Sequence, residues 1–100
     1  MSEEVLNILI VEDDVGLREI VSQRLRDAGY RVVEASNGRE GLEILQKTPS
    51  SWFALITDYT MPYVNGGELV RRVRELGIYF EIVIMASAVG EWEPVVASAF

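Results

Sequence analysis

The chain has 100 residues, 49% hydrophobic and 25% charged, with nine Lys and Arg against sixteen Asp and Glu for a net charge of −7. This describes one small globular domain with a single core, and its acidity excludes the basic stripe that direct nucleic-acid binding requires. With neither Cys nor His in the chain, disulfides and zinc or thiolate chemistry are excluded, and any metal has to be held by oxygen.

The first residues, MSEEVLN, are acidic and lack the basic-then-apolar order of a signal peptide. No apolar run reaches the roughly 18 residues of a membrane span, so a cytoplasmic protein without membrane contact is expected. Asn7 to Val11 is a continuous apolar run ending in Glu12 and Asp13. It reads as a strand buried on both faces, central in a parallel sheet. Leu17, Ile20, Val21, Leu25 and Ala28 then recur at helical spacing, with polar residues such as Arg18, Glu19, Gln23, Arg24 and Arg26 mostly between them. Asp14 stands where its carboxylate caps this helix, and Gly29 closes it.

Tyr30 to Ala35 is a shorter, partly charged strand, as an edge strand should be. Asn37 followed by Glu40 resembles a capping box for a short helix carrying Leu42 and Leu45. Lys47 to Ser51 is read as a loop around Pro49. Trp52 to Thr57 is the third strand, delivering Asp58 into a loop through Pro62 to Gly66. Leu69, Val70, Val73 and Leu76 carry a third helix that Gly77 ends. Phe80 to Ala86 is the fourth strand, with Ser87 at its carboxyl end. From Glu91 the spacing of Trp92, Val95, Val96 and Ala99 predicts a fourth helix. Strict strand and helix alternation predicts an α/β, doubly wound parallel sheet with right-handed crossovers.

Each acid at a strand end has a plain alternative. Asp58 alone reads equally well as a turn residue bonding its own backbone, and Ser87 alone as a hydroxyl satisfied by nearby backbone. Taken together they point elsewhere. If strands one, three and four are neighbours, Glu12, Asp13, Asp58 and Ser87 converge on the rim where open α/β sheets keep their sites. Three carboxylates this close raise at least one pKa unless a cation is bound, and Mg²⁺ suits carboxylate oxygens while leaving positions for a phosphoryl group. A carboxylate such as Asp58 can then act as nucleophile and form an acyl phosphate.

The segments ILIVEDD, LITDYTMPYVNG and IVIMASA resemble, in order and spacing, the three signatures of the receiver domain of bacterial two-component response regulators. The resemblance runs over essentially the whole chain and implies a flavodoxin-like sheet of strand order 2-1-3-4-5. It implies Mg²⁺ bound by Glu12, Asp13, Asp58 and the Thr60 backbone carbonyl, with Asp58 as phosphoacceptor. Ser87 matches the hydroxyl that moves towards the phosphoryl oxygens, and Ala88 the small residue after it. The implied function is a phosphorylated signalling switch rather than an enzyme, partnered by a sensor histidine kinase or phosphotransfer protein.

The match departs from the family after the fourth strand. The fifth strand and helix are lacking, and with them the lysine that pairs with the phosphoryl group; Lys47, the chain's only lysine, is a surface charge. Residues 1–100 are therefore expected to be a single receiver domain shortened to four of the usual five units. FEIVIMA then becomes an exposed edge that invites self-association between copies or an altered packing of the fourth helix. The alternative function is a phosphorylation-incompetent, receiver-like interaction module. A flavin carrier on the same fold is opposed by Glu12, Asp13 and Asp14, which would repel a phosphate. In a Toprim-like nucleic-acid enzyme, a DxD is needed where this chain has Thr60.

Overall fold

The computed structural model describes residues 5–47, 52–58, 65–86 and 92–93. Their elements, in chain order, are β1 (Asn7–Val11), α1 (Val15–Asp27), β2 (Arg31–Ala35), α2 (Gly38–Lys47), β3 (Trp52–Asp58), α3 (Gly66–Glu75), β4 (Phe80–Ala86) and β5 (Trp92–Glu93). Four strands pair in parallel and β5 adds to the edge antiparallel, giving the order β2-β1-β3-β4-β5. The apolar β1 is central and the charged β2 is an edge, as their compositions require. The resulting architecture is the doubly wound, flavodoxin-like sheet.

The helix ends follow from local chemistry. The Asp14 carboxylate accepts the Leu17 N–H at 3.0 Å and caps α1, while Asn65 accepts the Glu68 N–H at 2.9 Å and caps α3. Asn37 accepts the Glu40 N–H at 2.8 Å at the start of α2, but the returning Glu40 carboxylate takes the N–H of Ser36 rather than of Asn37. The capping box is thus displaced by one residue. After α1 and α3 the chain turns at Gly29 (φ 98°) and Gly77 (φ 74°), left-handed conformations that a Cβ would oppose.

Two-residue alternation along the strands divides the apolar residues between the two faces. Leu9, Val11, Ala35, Leu55 and Val83 join Leu42 and Leu45 of α2 and Leu69 and Val73 of α3 in one buried cluster, which Trp52 and Phe80 extend. At Gly41 the helix comes so close to β1 that an added Cβ would lie 3.0 Å from Val11 Cγ2. The opposite face carries Ile8, Ile10, Val32 and Ala54, all buried, and continues through Ile56, Ile82 and Ile84, which stay half-buried. Helix α1 packs on this face over β2 and β1.

Three expectations need correction. Trp92 and Glu93 are not the start of a fourth helix: they pair with Ala86 and Met85 as β5, because β4 offers an unsatisfied edge that extended backbone can bond. Residues 94–100 lie outside the described residues. The upper end of the β4 edge is therefore covered rather than exposed. Lys47 is the last residue of α2 rather than part of a loop, which suits a cation at a helix C-terminus. On α1 the apolar stripe turns partly outward: Leu17 and Ile20 are 48% and 57% exposed, whereas Ser22 is fully buried. Along α1, Ser22 is buried and Arg18, Val21 and Leu25 are half-buried; Val21 and Leu25 belong to the expected stripe, whereas Arg18 is drawn in by partners that periodicity does not reveal.

Candidate functional site

β1 and β3 are adjacent and parallel, with Val11 level with Thr57, so the residues that follow them emerge together at the carboxyl end of the sheet. Glu12 extends the ladder by donating its N–H to Ala35 O at 3.0 Å. Its side chain continues the row of Ile8 and Ile10, as Asp58 continues that of Ala54 and Ile56. Glu12 is 8% exposed and Asp58 6%, while Asp13 is open to solvent. Carboxylate oxygens of Glu12, Asp13 and Asp58 lie within 4.8 Å of one another. The convergence expected of these three residues is present. Ser87, Ala88 and Thr60 lie outside the described residues.

Such a cluster cannot hold three negative charges cheaply. The Glu12 carboxyl is pushed from 4.5 up to about 7. Burial is the main cause, opposed by the Asp14 N–H that it accepts at 3.1 Å and reinforced by a hydrogen bond with Asp13 and by the charges of Asp58 and Asp13. The donor set is all oxygen and acidic, the ligand chemistry of Mg²⁺ rather than of zinc or copper. A proton on Glu12 relieves the repulsion when no cation does. Asp14, next in the chain, faces the other way and caps α1.

Periodicity missed the support behind the cluster. Arg18 reaches back from α1 and donates to the Glu12 carbonyl oxygen at 2.8 Å and to Glu34 on β2 at 3.3 Å. Its usable sequence signal was an arginine one turn into a helix whose cap directly follows the acidic pair. Elsewhere, a hollow of about 460 Å³ between α2 and α3 is lined by Leu42, Gln46, Arg71, Arg72, Glu75 and Leu76. Its guanidinium groups are already paired: Arg71 with Glu68 and Glu75, Arg72 with Glu68, which holds the Glu68 carboxyl down at about 2.

An open, mostly parallel sheet with a carboxylate cluster at its rim defines a doubly wound α/β protein with an oxygen-donor site at its strand ends. Residues 8–99 match the response regulator receiver domain family, and the chain belongs to it. The chain is 42% identical over 69 residues to the response regulator receiver protein CpdR of Brucella abortus, covering 69% of this chain and 56% of that protein. It is 36% identical over 83 residues to the two-component response regulator ORR3 of Oryza sativa subsp. indica, covering 81% and 63%. The matches thus span less than two thirds of these relatives' lengths. Among solved structures, the chemotaxis response regulator CheY4 of Vibrio cholerae aligns with a TM-score of 0.75 at 37% identity, covering 82% of this chain and 68% of that one. The response regulator TrrA of Thermotoga maritima, in complex with Mg²⁺ and BeF, aligns with a TM-score of 0.74 at 27% identity, covering 86% and 72%. Receiver domains are signalling domains that bind Mg²⁺ at an acidic cluster and interact with histidine kinases or phosphotransfer proteins. Among the described residues no helix is long and apolar enough to cross a membrane.

Proposed function

We propose that this chain is a phosphoacceptor switch of a two-component system, with Asp58 receiving the phosphoryl group. The observation that carries the reading is the meeting of Glu12, Asp13 and Asp58 within 4.8 Å at the carboxyl ends of two adjacent strands. Glu12, Asp13 and Asp58 are the ligands for Mg²⁺, joined by the Thr60 carbonyl, and Ser87 is the hydroxyl that follows the phosphoryl oxygens. When bound, Mg²⁺ supplies charge neutralisation for the carboxylates and for the oxygens of the transferred group.

The residues divide the work by burial. Asp58, nearly enclosed at the strand end, is held by the sheet with one carboxylate oxygen as nucleophile. That oxygen forms a bond to phosphorus as the bond to the donor breaks, and the electron pair leaves with the imidazole nitrogen of a kinase phosphohistidine or the carboxylate of a small acyl phosphate. Exposed Asp13 and buried Glu12 provide the charge that draws in the cation. The partner is a sensor histidine kinase or phosphotransfer protein, and the chain assists only its own phosphoryl transfer and dephosphorylation. The reading takes residues 1–100 as one receiver unit working in the cytoplasm, without nucleic acid or membrane contact. Self-association is assigned to the edge of β4 below Met85; among the described residues, β5 covers that edge at Met85 and Ala86.

Intact mass after incubation with a small acyl-phosphate donor tests the reading. A gain of one phosphoryl group is expected with Mg²⁺, absent without it and absent in Asp58→Asn. No gain in a sample shown by circular dichroism to be folded would transfer the assignment to a phosphorylation-incompetent interaction module.

A further inference from the structure

We propose that Arg18 is a positioning residue for the cation site, acting through the peptide that joins Glu12 to Asp13. The inference rests on the metal reading above and adds a residue outside the carboxylate set. Arg18 lies on α1, with a side chain only 16% exposed. A guanidinium buried to this degree has to have its donors occupied. One N–H goes to the Glu12 carbonyl oxygen at 2.8 Å and Nε–H to Glu34 Oε1 at 3.3 Å. The second Glu34 oxygen accepts from Arg26 at 3.1 Å, and the same Arg26 nitrogen donates to Val32 O at 3.1 Å. Glu34 on β2 thus accepts from both arginines, one on each oxygen, and Arg18 also reaches the Glu12 carbonyl.

The consequence falls on the first acidic pair. Glu12 is fixed at three points: its N–H on Ala35 O, its carboxylate on the Asp14 N–H, and its carbonyl on Arg18. The carbonyl belongs to the peptide plane that leads into Asp13, the exposed member of the cluster, so its orientation sets where the Asp13 carboxylate starts from. Without Arg18, that peptide can rotate at the open end of the strand. Partners that orient ligands in this way typically cost ten- to a hundredfold in metal affinity when removed.

Three roles for Arg18 give three different signs. As a positioning residue, its loss weakens Mg²⁺ binding. As a mere cation near a cation site, its loss strengthens binding by removing repulsion. As a tie between α1 and β2, its loss lowers the unfolding midpoint and leaves Mg²⁺ affinity alone, as Arg26→Met should, since Arg26 touches Glu34 and Val32 but not Glu12.

The experiment is calorimetric titration of the full chain with Mg²⁺, alongside thermal unfolding of the metal-free forms. Arg18→Met is expected to bind about tenfold more weakly than the parent, Arg18→Lys to fall between them because it keeps one donor and the charge, and Arg26→Met to bind like the parent. Unchanged or tighter binding in Arg18→Met overturns the inference, as does equal weakening in Arg26→Met. Should Arg18→Met not fold, Arg18→Lys decides alone, and parent-like affinity there overturns the proposal. A parent chain that binds no Mg²⁺ overturns the metal reading itself and the inference with it, a result distinct from a binding parent with an indifferent variant.

Discussion

The two faces of the sheet are built from equally apolar strands yet sealed to different degrees. On the side of α2 and α3, Leu9, Val11, Leu55, Val73 and Phe80 are completely or almost completely buried in one cluster. On the side of α1, burial is as complete at Ile8 and Ile10 but weakens through Ile56, Ile82 and Ile84, and the helix itself turns Leu17 and Ile20 to solvent. Apolar composition therefore does not by itself locate the core. The first face concentrates stability, and the second face leads at its rim to the carboxylates.

The contrast is broken most strongly by cutting into the first face. Leu55→Ala is expected to cost about 3 kcal/mol in urea unfolding, against about 1 kcal/mol for Ile56→Ala one residue along on the half-sealed face. Equal costs would show that the α1 side is as tightly packed as the other. The rim adds a pH dependence. Glu12 has a folded pKa near 7 against 4.5 unfolded, so between these values the folded state holds the extra proton and stability falls as pH rises. For the metal-free chain the loss is on the order of 1–2 kcal/mol between about pH 5 and pH 7.5, reduced by solvent at the open rim. Difference unfolding curves against Glu12→Gln should isolate it, and Mg²⁺ should flatten it.

A smaller effect is expected at the α3 cap. Asn65→Ala removes the acceptor of the Glu68 N–H and should cost about 1 kcal/mol, loosening the helix that seals the first face. The smallest belongs to the exposed flank of α1. Ile20→Ser should change stability by less than about 0.5 kcal/mol, and a larger loss would mean that Ile20 is covered in solution.

Much of this molecule was legible because its local signals and its fold agree. The run NILIV is buried along its apolar length because it is central, and Asp58 stands at the end of its strand because seven residues of β3 deliver it there. Asp14 was separable from Glu12 and Asp13 because a carboxylate at a helix start has its own use as a cap. Helix α1 was harder to read. Counting only apolar residues favours the flank of Leu17 and Ile20, whereas the sheet-facing side includes an arginine whose partners lie six and sixteen residues away. The short β5 was illegible for a similar reason: helical spacing after Glu91 carries no information about the vacant hydrogen-bonding edge that Trp92 and Glu93 meet.

Trp52 gives the chain an optical use. Trp52 is 5% exposed, its ring tilted against Phe80 at a separation of 6.0 Å, and its N–H meets no acceptor among the described residues. A fluorophore so shielded emits towards the blue and shifts to the red when water reaches it. Because Trp52 begins the strand that Asp58 ends, its colour, read in a Trp92→Phe background that silences the second indole, follows the integrity of the far end of β3, so that loosening there can be watched separately from events at the acidic rim.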